Sequence, residues 1–106
     1  MPKYLLQVSY TTEGLKGLAQ DSAAGRRADV HASVRALGGK VEAFYYCFGK
    51  DDVITIVEFP DNVTAAALSL KSSQTGTLRI RTTPLLTVEE VDRALEVDTH
   101  YRAPGE

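Results

Sequence analysis

The chain has 106 residues, which is enough for one globular domain and too few for two. Its 43% hydrophobic and 25% charged residues exclude the compositions typical of disordered and fibrous proteins. The formal net charge of −2, from 12 basic and 14 acidic side chains, offers no basic surface for nucleic acid or an anionic membrane.

Residues 3–10 are predicted to form the first strand, because apolar side chains alternate with more polar ones along them. Thr11–Thr12 then caps a short helix, which three glycines weaken and which we expect to break near Ser22–Gly25. A firmer helix is predicted over Arg26–Leu37. Two glycines end it, and its inner stripe is formed by Val30, Val34 and Leu37.

Val41–Phe48 and Val53–Phe59 are predicted strands, since both are rich in aromatic and β-branched residues. The Gly49–Asp51 segment between them is typical of a hairpin turn. Asp61 is placed to cap the next helix. The side chains predicted to face inward on that helix are Val63, Ala66, Ala67 and Leu70.

Thr77–Thr82 is the fourth predicted strand, and Pro84 is expected to end its pattern. Thr87–Glu90 matches a capping box that begins a short last helix through Leu95. Residues 98–106 have no periodicity and are predicted to form an extended tail.

The order β-α-β-β-α-β plus a terminal helix predicts a single α+β domain over residues 1–106, of ferredoxin-like topology. In that topology a four-stranded antiparallel sheet carries both main helices on one face. The second and third strands are nevertheless apolar on both faces, so both faces should be covered. The side chains predicted on one face are Phe44, Tyr46, Phe48, Ile54 and Ile56. Those predicted on the other face are Val41, Ala43, Val53 and Val57. The expected cover is a second copy of the chain, in a homodimer or higher homo-oligomer.

Four segments of the chain resemble the GYD-domain family: Met1–Thr11, Gly39–Gly49, Pro60–Ala67 and Arg81–Thr87. The resemblance runs across nearly the whole chain and implies a ferredoxin-like fold of the dimeric α/β-barrel type. It brings no settled activity with it. Relatives in the barrel superfamily include cofactor-free monooxygenases, lactone isomerases, haem-handling proteins and plain ligand binders, and a shared fold does not fix a function.

The Gly-Tyr-Asp motif that names the family aligns with Gly49 and Asp52. Asp51 stands at the tyrosine position, so whatever that ring contributes in relatives is missing here. We interpret Gly49 and Asp52 as structural residues, because glycine permits the turn and aspartate accepts hydrogen bonds from free backbone amides.

His31 is the catalytic candidate, since an imidazole can act as a general base or ligate a metal or haem. It has no histidine or cysteine partner at helical spacing, and a solvated surface histidine is the competing interpretation. The ligand-binding candidates are Tyr10, Arg27, His31, Tyr45, Tyr46 and Arg81. Tyrosines can orient an aromatic ligand, although aromatic side chains also favour strands and interfaces.

Arg79 and Arg81 share one face of the fourth strand, with Lys3 nearby. They can hold a carboxylate ligand or pair with Glu42 or Glu58 across a subunit boundary, and the sequence leaves both open. The sequence contains no phosphate-binding glycine motif, nucleophile elbow or metal-spaced cluster, so no cofactor or metal is predicted.

Cys47 is the only cysteine, which excludes an internal disulfide. No pattern of a signal peptide or of a membrane span is present, so we expect a cytoplasmic protein without membrane or nucleic-acid partners. Three functions remain open. The first is a homo-oligomeric module that holds a small organic ligand between sheet and helices. The others are a cofactor-free oxygenase or isomerase that uses His31 or a tyrosine, and a protein of assembly alone.

Overall fold

The computed structural model describes all 106 residues and contains four strands and four helices. Their bounds are β1 (Lys3–Tyr10), α1 (Thr12–Gln20), α2 (Ala23–Ala36), β2 (Lys40–Tyr46), β3 (Val53–Glu58), α3 (Asn62–Ser73), β4 (Leu78–Leu85) and α4 (Val88–Glu96). The strands form one antiparallel sheet in the order β2-β3-β1-β4. This arrangement confirms the α+β, ferredoxin-like prediction, with β1 and β4 as neighbours.

One face of the sheet forms the hydrophobic core together with α2 and α3. Tyr4 and Leu6 of β1 and Val57 of β3 pack there against Val34 of α2 and Ala65 of α3, and all five are buried. Tyr4 also donates a hydrogen bond of 2.6 Å from its hydroxyl to Oδ1 of Asn62. A buried hydroxyl is stable only when it is partnered, and this bond ties β1 to the start of α3.

A β-bulge in β2 changes which side chains face the helices. Val41 pairs with Val57 and Ala43 with Ile56, so Glu42 is the extra residue on β2. The predicted faces of β2 and β3 were therefore wrong, since Phe44 and Tyr46 lie on the helix side and Ile54 and Ile56 on the other. The face turned away from the helices, called here the open sheet face, carries the apolar residues Leu5, Ala43, Tyr45, Ile54 and Ile56. The sequence pattern alone does not contain the bulge.

Several predicted boundaries were also wrong, including the end of β2, which lies at Tyr46 and not at Phe48. β4 continues past Pro84 to Leu85. Because β4 is an edge strand, the N–H that proline lacks is not needed for a hydrogen bond on the side of β4 that has no neighbouring strand. The second helix begins at Ala23 and not at Arg26, because the Ser22 side chain caps it by accepting a 2.9 Å hydrogen bond from the amide of Gly25.

The inward stripe predicted for α3 was wrong as well. Val63 and Leu70 are 78% and 64% exposed, whereas Ala65 is buried and Leu68 packs against the core. The Asp61 cap is confirmed and starts the helix with the amide of Thr64 hydrogen-bonded to its carboxylate. On the preceding helix, Val34 is buried as predicted, but Leu37 is exposed because it lies at the end of α2.

The last helix, α4, projects from the body of the domain. Its capping box is confirmed, with Thr87 and Glu90 hydrogen-bonded reciprocally through side chains and backbone. No residue of α4 is buried. The radius of gyration is 17.0 Å, against about 13 Å for a compact chain of this length, which reflects the projecting C-terminal region. None of the helices has both the length and the apolar character needed to cross a lipid bilayer.

Candidate functional site

A partly enclosed cavity of about 70 Å³ lies between the sheet and helices α2 and α3. Nine of its thirteen lining residues are hydrophobic, and one of the lining residues is Tyr10 at the end of β1. One water molecule needs roughly 10–15 Å³ on this measure, so the cavity has room for about five to seven water-sized groups. The lining residues are Leu6, Val8, Tyr10, Arg26, Val30, Ser33, Phe44, Val53, Thr55, Leu68, Ser72, Leu78 and Ile80.

Arg26 is the one charged side chain on this cavity. It is half-buried, and no carboxylate lies within 4.0 Å of its guanidinium. It also lies in the first turn of α2, where the helix dipole disfavours a positive charge. A guanidinium binds carboxylates through charge-assisted hydrogen bonds, so this arginine can accept an anion.

The other polar groups on the cavity wall are the side chains of Tyr10, Ser33, Thr55 and Ser72. The buried hydroxyl of Thr55 is already used, since it donates a 2.6 Å hydrogen bond to the carbonyl of Ala43. Ser33 and Ser72 have no side-chain hydrogen bond within the chain, so their hydroxyls are available to a ligand.

Tyr46 lies next to the cavity, and its ring packs edge-on against Phe44 at 5.3 Å. Its hydroxyl donates a 2.9 Å hydrogen bond to the carbonyl of Ala23. Burial raises the pKa of Tyr46 above its usual value of 10.0, and Tyr10 adds to the rise. The phenol of Tyr46 is therefore protonated at neutral pH and acts as a hydrogen-bond donor.

His31 and Arg27 do not reach this cavity. Both line a wide, shallow depression on the outside of the domain, between α2 and the edge strand β2, which we call the α2–β2 groove. The His31 ring is tilted against Phe44, with 6.4 Å between the ring centroids. The groove residues are Arg27, Ala28, His31, Ala32, Arg35, Val41, Glu42, Ala43 and Phe44.

Tyr45 and Arg81 lie on the open sheet face, away from both the cavity and the groove. Tyr45 is 70% exposed. Arg81 forms an ion pair with Asp51 at 3.1 Å, and Asp51 also accepts hydrogen bonds from Gln7 and Ser9. Asp51 thus ties the β2–β3 loop to the sheet.

A second ion pair on the open sheet face joins the start of β1 to the bulge in β2. The Nζ atom of Lys3 lies 2.7 Å from Oε1 of Glu42, and this hydrogen bond raises the pKa of Lys3 above its usual 10.5. Lys3 and Glu42, like Arg81 and Asp51, are therefore paired within one chain.

Asp52 and Gly49 shape the loop between β2 and β3. The carboxylate of Asp52 accepts a 2.8 Å hydrogen bond from the amide of Tyr10, and its own amide donates to the carbonyl of Val8 at 2.8 Å. Gly49 has a φ of +156°, a conformation that side-chain-bearing residues rarely adopt. Asp52 therefore fixes the end of β1, where Tyr10 lines the cavity.

Of the residues predicted from the sequence, the structure places only Tyr10 on the cavity wall. Arg27, His31 and Tyr46 lie beside it on the outer side of α2 and β2, and Tyr45 and Arg81 lie on the opposite face of the sheet. The cavity residues Arg26, Ser33 and Ser72 were not proposed as ligands. For Arg26 the signal was its position at a helix start, where a positive charge is unfavourable.

No group of three or more histidine, cysteine, aspartate or glutamate side chains is arranged to hold a metal ion. Among known proteins, the family model of the GYD domain matches residues 4–95 of this chain. No curated protein and no solved structure matches it. The family match spans most of the chain and includes the first three helices and, apart from Lys3 at the start of β1, all four strands, so the chain belongs to the GYD-domain family.

Proposed function

We propose that this protein is a homo-oligomeric module that binds a small, largely apolar organic acid in the cavity between the sheet and the helices. The observation that carries this proposal is Arg26, a half-buried guanidinium without a carboxylate partner on the wall of an otherwise apolar cavity. Few polar groups on an apolar wall are typical of small-molecule sites, where they fix the orientation of the ligand.

The size of the cavity limits the ligand to about five to seven non-hydrogen atoms. A short alkyl chain would lie against Val8, Val53 and Leu78, and the carboxylate would face Arg26. A ligand this small binds weakly, since its affinity is limited by the number of its atoms. Millimolar dissociation constants are therefore expected.

The test is an NMR titration of the ¹⁵N-labelled protein with butyrate, and with butanamide as the uncharged analogue of the same shape. We expect butyrate to shift the amide resonances of residues around the cavity and to bind roughly tenfold more tightly than butanamide, since a charge-assisted hydrogen bond contributes about 1.5–3 kcal/mol. Arg26→Leu should remove the preference for the acid.

The matched control is Arg35→Leu, which removes an arginine from the same helix at a position away from the cavity. It should leave the preference for butyrate unchanged. Equal affinities for butyrate and butanamide in the unmodified protein, or equal losses in the two variants, would contradict the proposal.

The open sheet face supports the oligomeric part of the proposal. Ile54 and Tyr45 are 36% and 70% exposed in the single chain, and Leu5 and Ile56 lie beside them. An apolar patch on a sheet face that the chain's own helices leave uncovered is suited to contact with another chain. A second copy meeting it face to face would bury these side chains and close the sheet on both sides.

The two other functions suggested by the sequence have less support. Proton transfer at His31 would take place in the open α2–β2 groove and not in the cavity. The raised pKa of Tyr46 leaves almost none of it as phenolate at neutral pH, so little base is present to accept a proton. An assembly role alone would leave the cavity and the unpaired Arg26 without a purpose. Ligand binding accounts for both features.

A further inference from the structure

The projecting helix α4 carries two adjoining stripes along its length. Val88, Val91 and Leu95 recur at the spacing of one helix face and are 75%, 41% and 78% exposed. Glu89, Asp92 and Glu96 follow one position later and form an acidic stripe beside the apolar one. None of these three carboxylates has an ion-pair partner within the chain. An amphipathic, well-capped helix without a partner is built to pack against another surface.

The α2–β2 groove has the complementary pattern. Arg27, His31 and Arg35 recur every four residues along α2 and form a basic stripe, and neither arginine has a carboxylate within 4.0 Å. The floor beside this stripe is apolar and consists of Ala28, Ala32, Val41, Ala43 and Phe44. The one carboxylate of the groove, Glu42, is already paired with Lys3.

The two patterns also agree in length. The basic stripe runs from Arg27 to Arg35, eight residues or about 12 Å, and the acidic stripe runs from Glu89 to Glu96, about 10 Å at the helical rise per residue. We propose that α4 of one copy packs into the α2–β2 groove of a second copy, apolar stripe on apolar floor and acidic stripe beside basic stripe.

Docking within the same chain is excluded by distance. β2 and β4 are the two opposite edges of the sheet, three strand spacings or about 14 Å apart. Only Leu86 and Thr87 separate β4 from α4, and the step from Leu85 to Val88 covers at most about 10 Å. The helix therefore cannot lie along its own groove, and the groove must be filled from another chain.

This inference rests on the face-to-face dimer proposed above. A two-fold axis that runs along the strands between two stacked sheets places β4 of one copy over β2 of the other. The end of β4 at Leu85 is in register, through Lys3 and Glu58, with the start of β2 at Lys40. Helix α4 of one copy thus leaves its sheet beside the α2–β2 groove of the other copy.

The first test reverses the charges in the full-length protein. Glu89→Lys with Asp92→Lys, or Arg27→Glu with Arg35→Glu, should raise the dimer dissociation constant tenfold or more at low salt in analytical ultracentrifugation. All four substitutions together should restore it. Lys16→Glu with Lys71→Glu, at exposed positions outside the groove, is the control for net charge and should leave the dimer unchanged.

The second test asks whether the two surfaces touch. In a Cys47→Ser background, one protein carries Val91→Cys and the other Ala32→Cys, and they are mixed with oxidised glutathione. We expect a disulfide-linked heterodimer on a non-reducing gel, and much less of it with Arg93→Cys, on the opposite side of α4, in place of Val91→Cys.

The outcomes distinguish the docking of α4 from the face-to-face dimer. If charge reversal leaves the dimer dissociation constant unchanged and no Val91–Ala32 cross-link forms, the docking of α4 in the groove is contradicted and the face-to-face dimer is not. A chain that is monomeric at every concentration overturns both. A cross-link together with reversal and rescue of affinity supports both.

Discussion

Gly14 and Gly17 lie one turn apart in α1, but their surroundings are opposite. A Cβ atom added to Gly14 would lie 1.9 Å from the carbonyl oxygen of Thr77, whereas one added to Gly17 would meet nothing within 4 Å. Thr77 is held in place by the hydrogen bond that its carbonyl accepts from the amide of Thr11. Gly14 is thus required for the close approach of α1 to the start of β4, and Gly17 is not.

We therefore predict opposite effects of the same substitution at these two sites. Gly14→Ala should lower the free energy of unfolding by about 1–3 kcal/mol, since backbone must move to admit the methyl group. Gly17→Ala should raise it by about 0.5–1 kcal/mol through helix propensity. Urea denaturation measures both, and each variant is the control for the other. A change of the same sign in both would mean that α1 does not pack as the structure shows.

Asp61 links the start of α3 to solution pH. Its carboxylate accepts hydrogen bonds from the amide and the hydroxyl of Thr64, which lower its pKa below the usual 3.8. A lowered pKa in the folded state means that the ionised carboxylate stabilises the fold. This contribution is fully present above the unfolded-state value and is lost as the pH falls through the folded-state value.

The matching variant is Asp61→Asn, which keeps an oxygen that can cap the helix but does not titrate. We predict that the thermal midpoint of the unmodified protein exceeds that of the variant most above about pH 5, and that the difference shrinks toward about pH 2. Glu90, whose pKa is lowered by the amide of Thr87, is present in both proteins, so its titration cancels. A difference that does not change with pH would show that the charge of Asp61 contributes nothing.

The elements differ in how far the sequence could predict them. Caps at Asp61 and Thr87 and the alternation in β1 are local signals, and the structure contains all three. The bulge at Glu42 is set by pairing with β3, so no local pattern reveals that Phe44 and Tyr46 face the helices. Pro84 was wrongly expected to end β4. The strand continues because it lies at the edge of the sheet, and that position is a property of the whole fold which the local sequence does not reveal.

The cavity was the hardest feature to predict, for a related reason. Its walls come from all four strands and from α2 and α3, and residues such as Arg26 and Ser72 are distant in sequence. Tyr10 could be proposed because a tyrosine can orient a ligand by stacking and hydrogen bonding. The groove residue Arg27 and the cavity residue Arg26 are neighbours in sequence, and only the rotation of α2 decides which one faces the cavity.

At the scale of the whole molecule, one face of the sheet and one helix lack partners within the chain. Helices α2 and α3 cover one face of the four-stranded sheet, and α4 projects from the domain without covering the other. Ile54 lies on the open sheet face and Val63 on the outer side of α3, and both are exposed aliphatic residues. They form a matched pair for testing which surface is covered in solution.

We predict that the unmodified protein has at least twice the 11.5 kDa mass of one chain in light scattering, and that Ile54→Asp reduces it to the monomer mass. A charge buried without a partner at an interface costs about 2–5 kcal/mol, which raises the dissociation constant roughly thirtyfold or more. Val63→Asp adds the same charge where no interface is proposed and should leave the mass unchanged. Equal effects of the two substitutions would show that the interface is not on the open sheet face. A monomeric unmodified protein would mean that this face is exposed to water in solution.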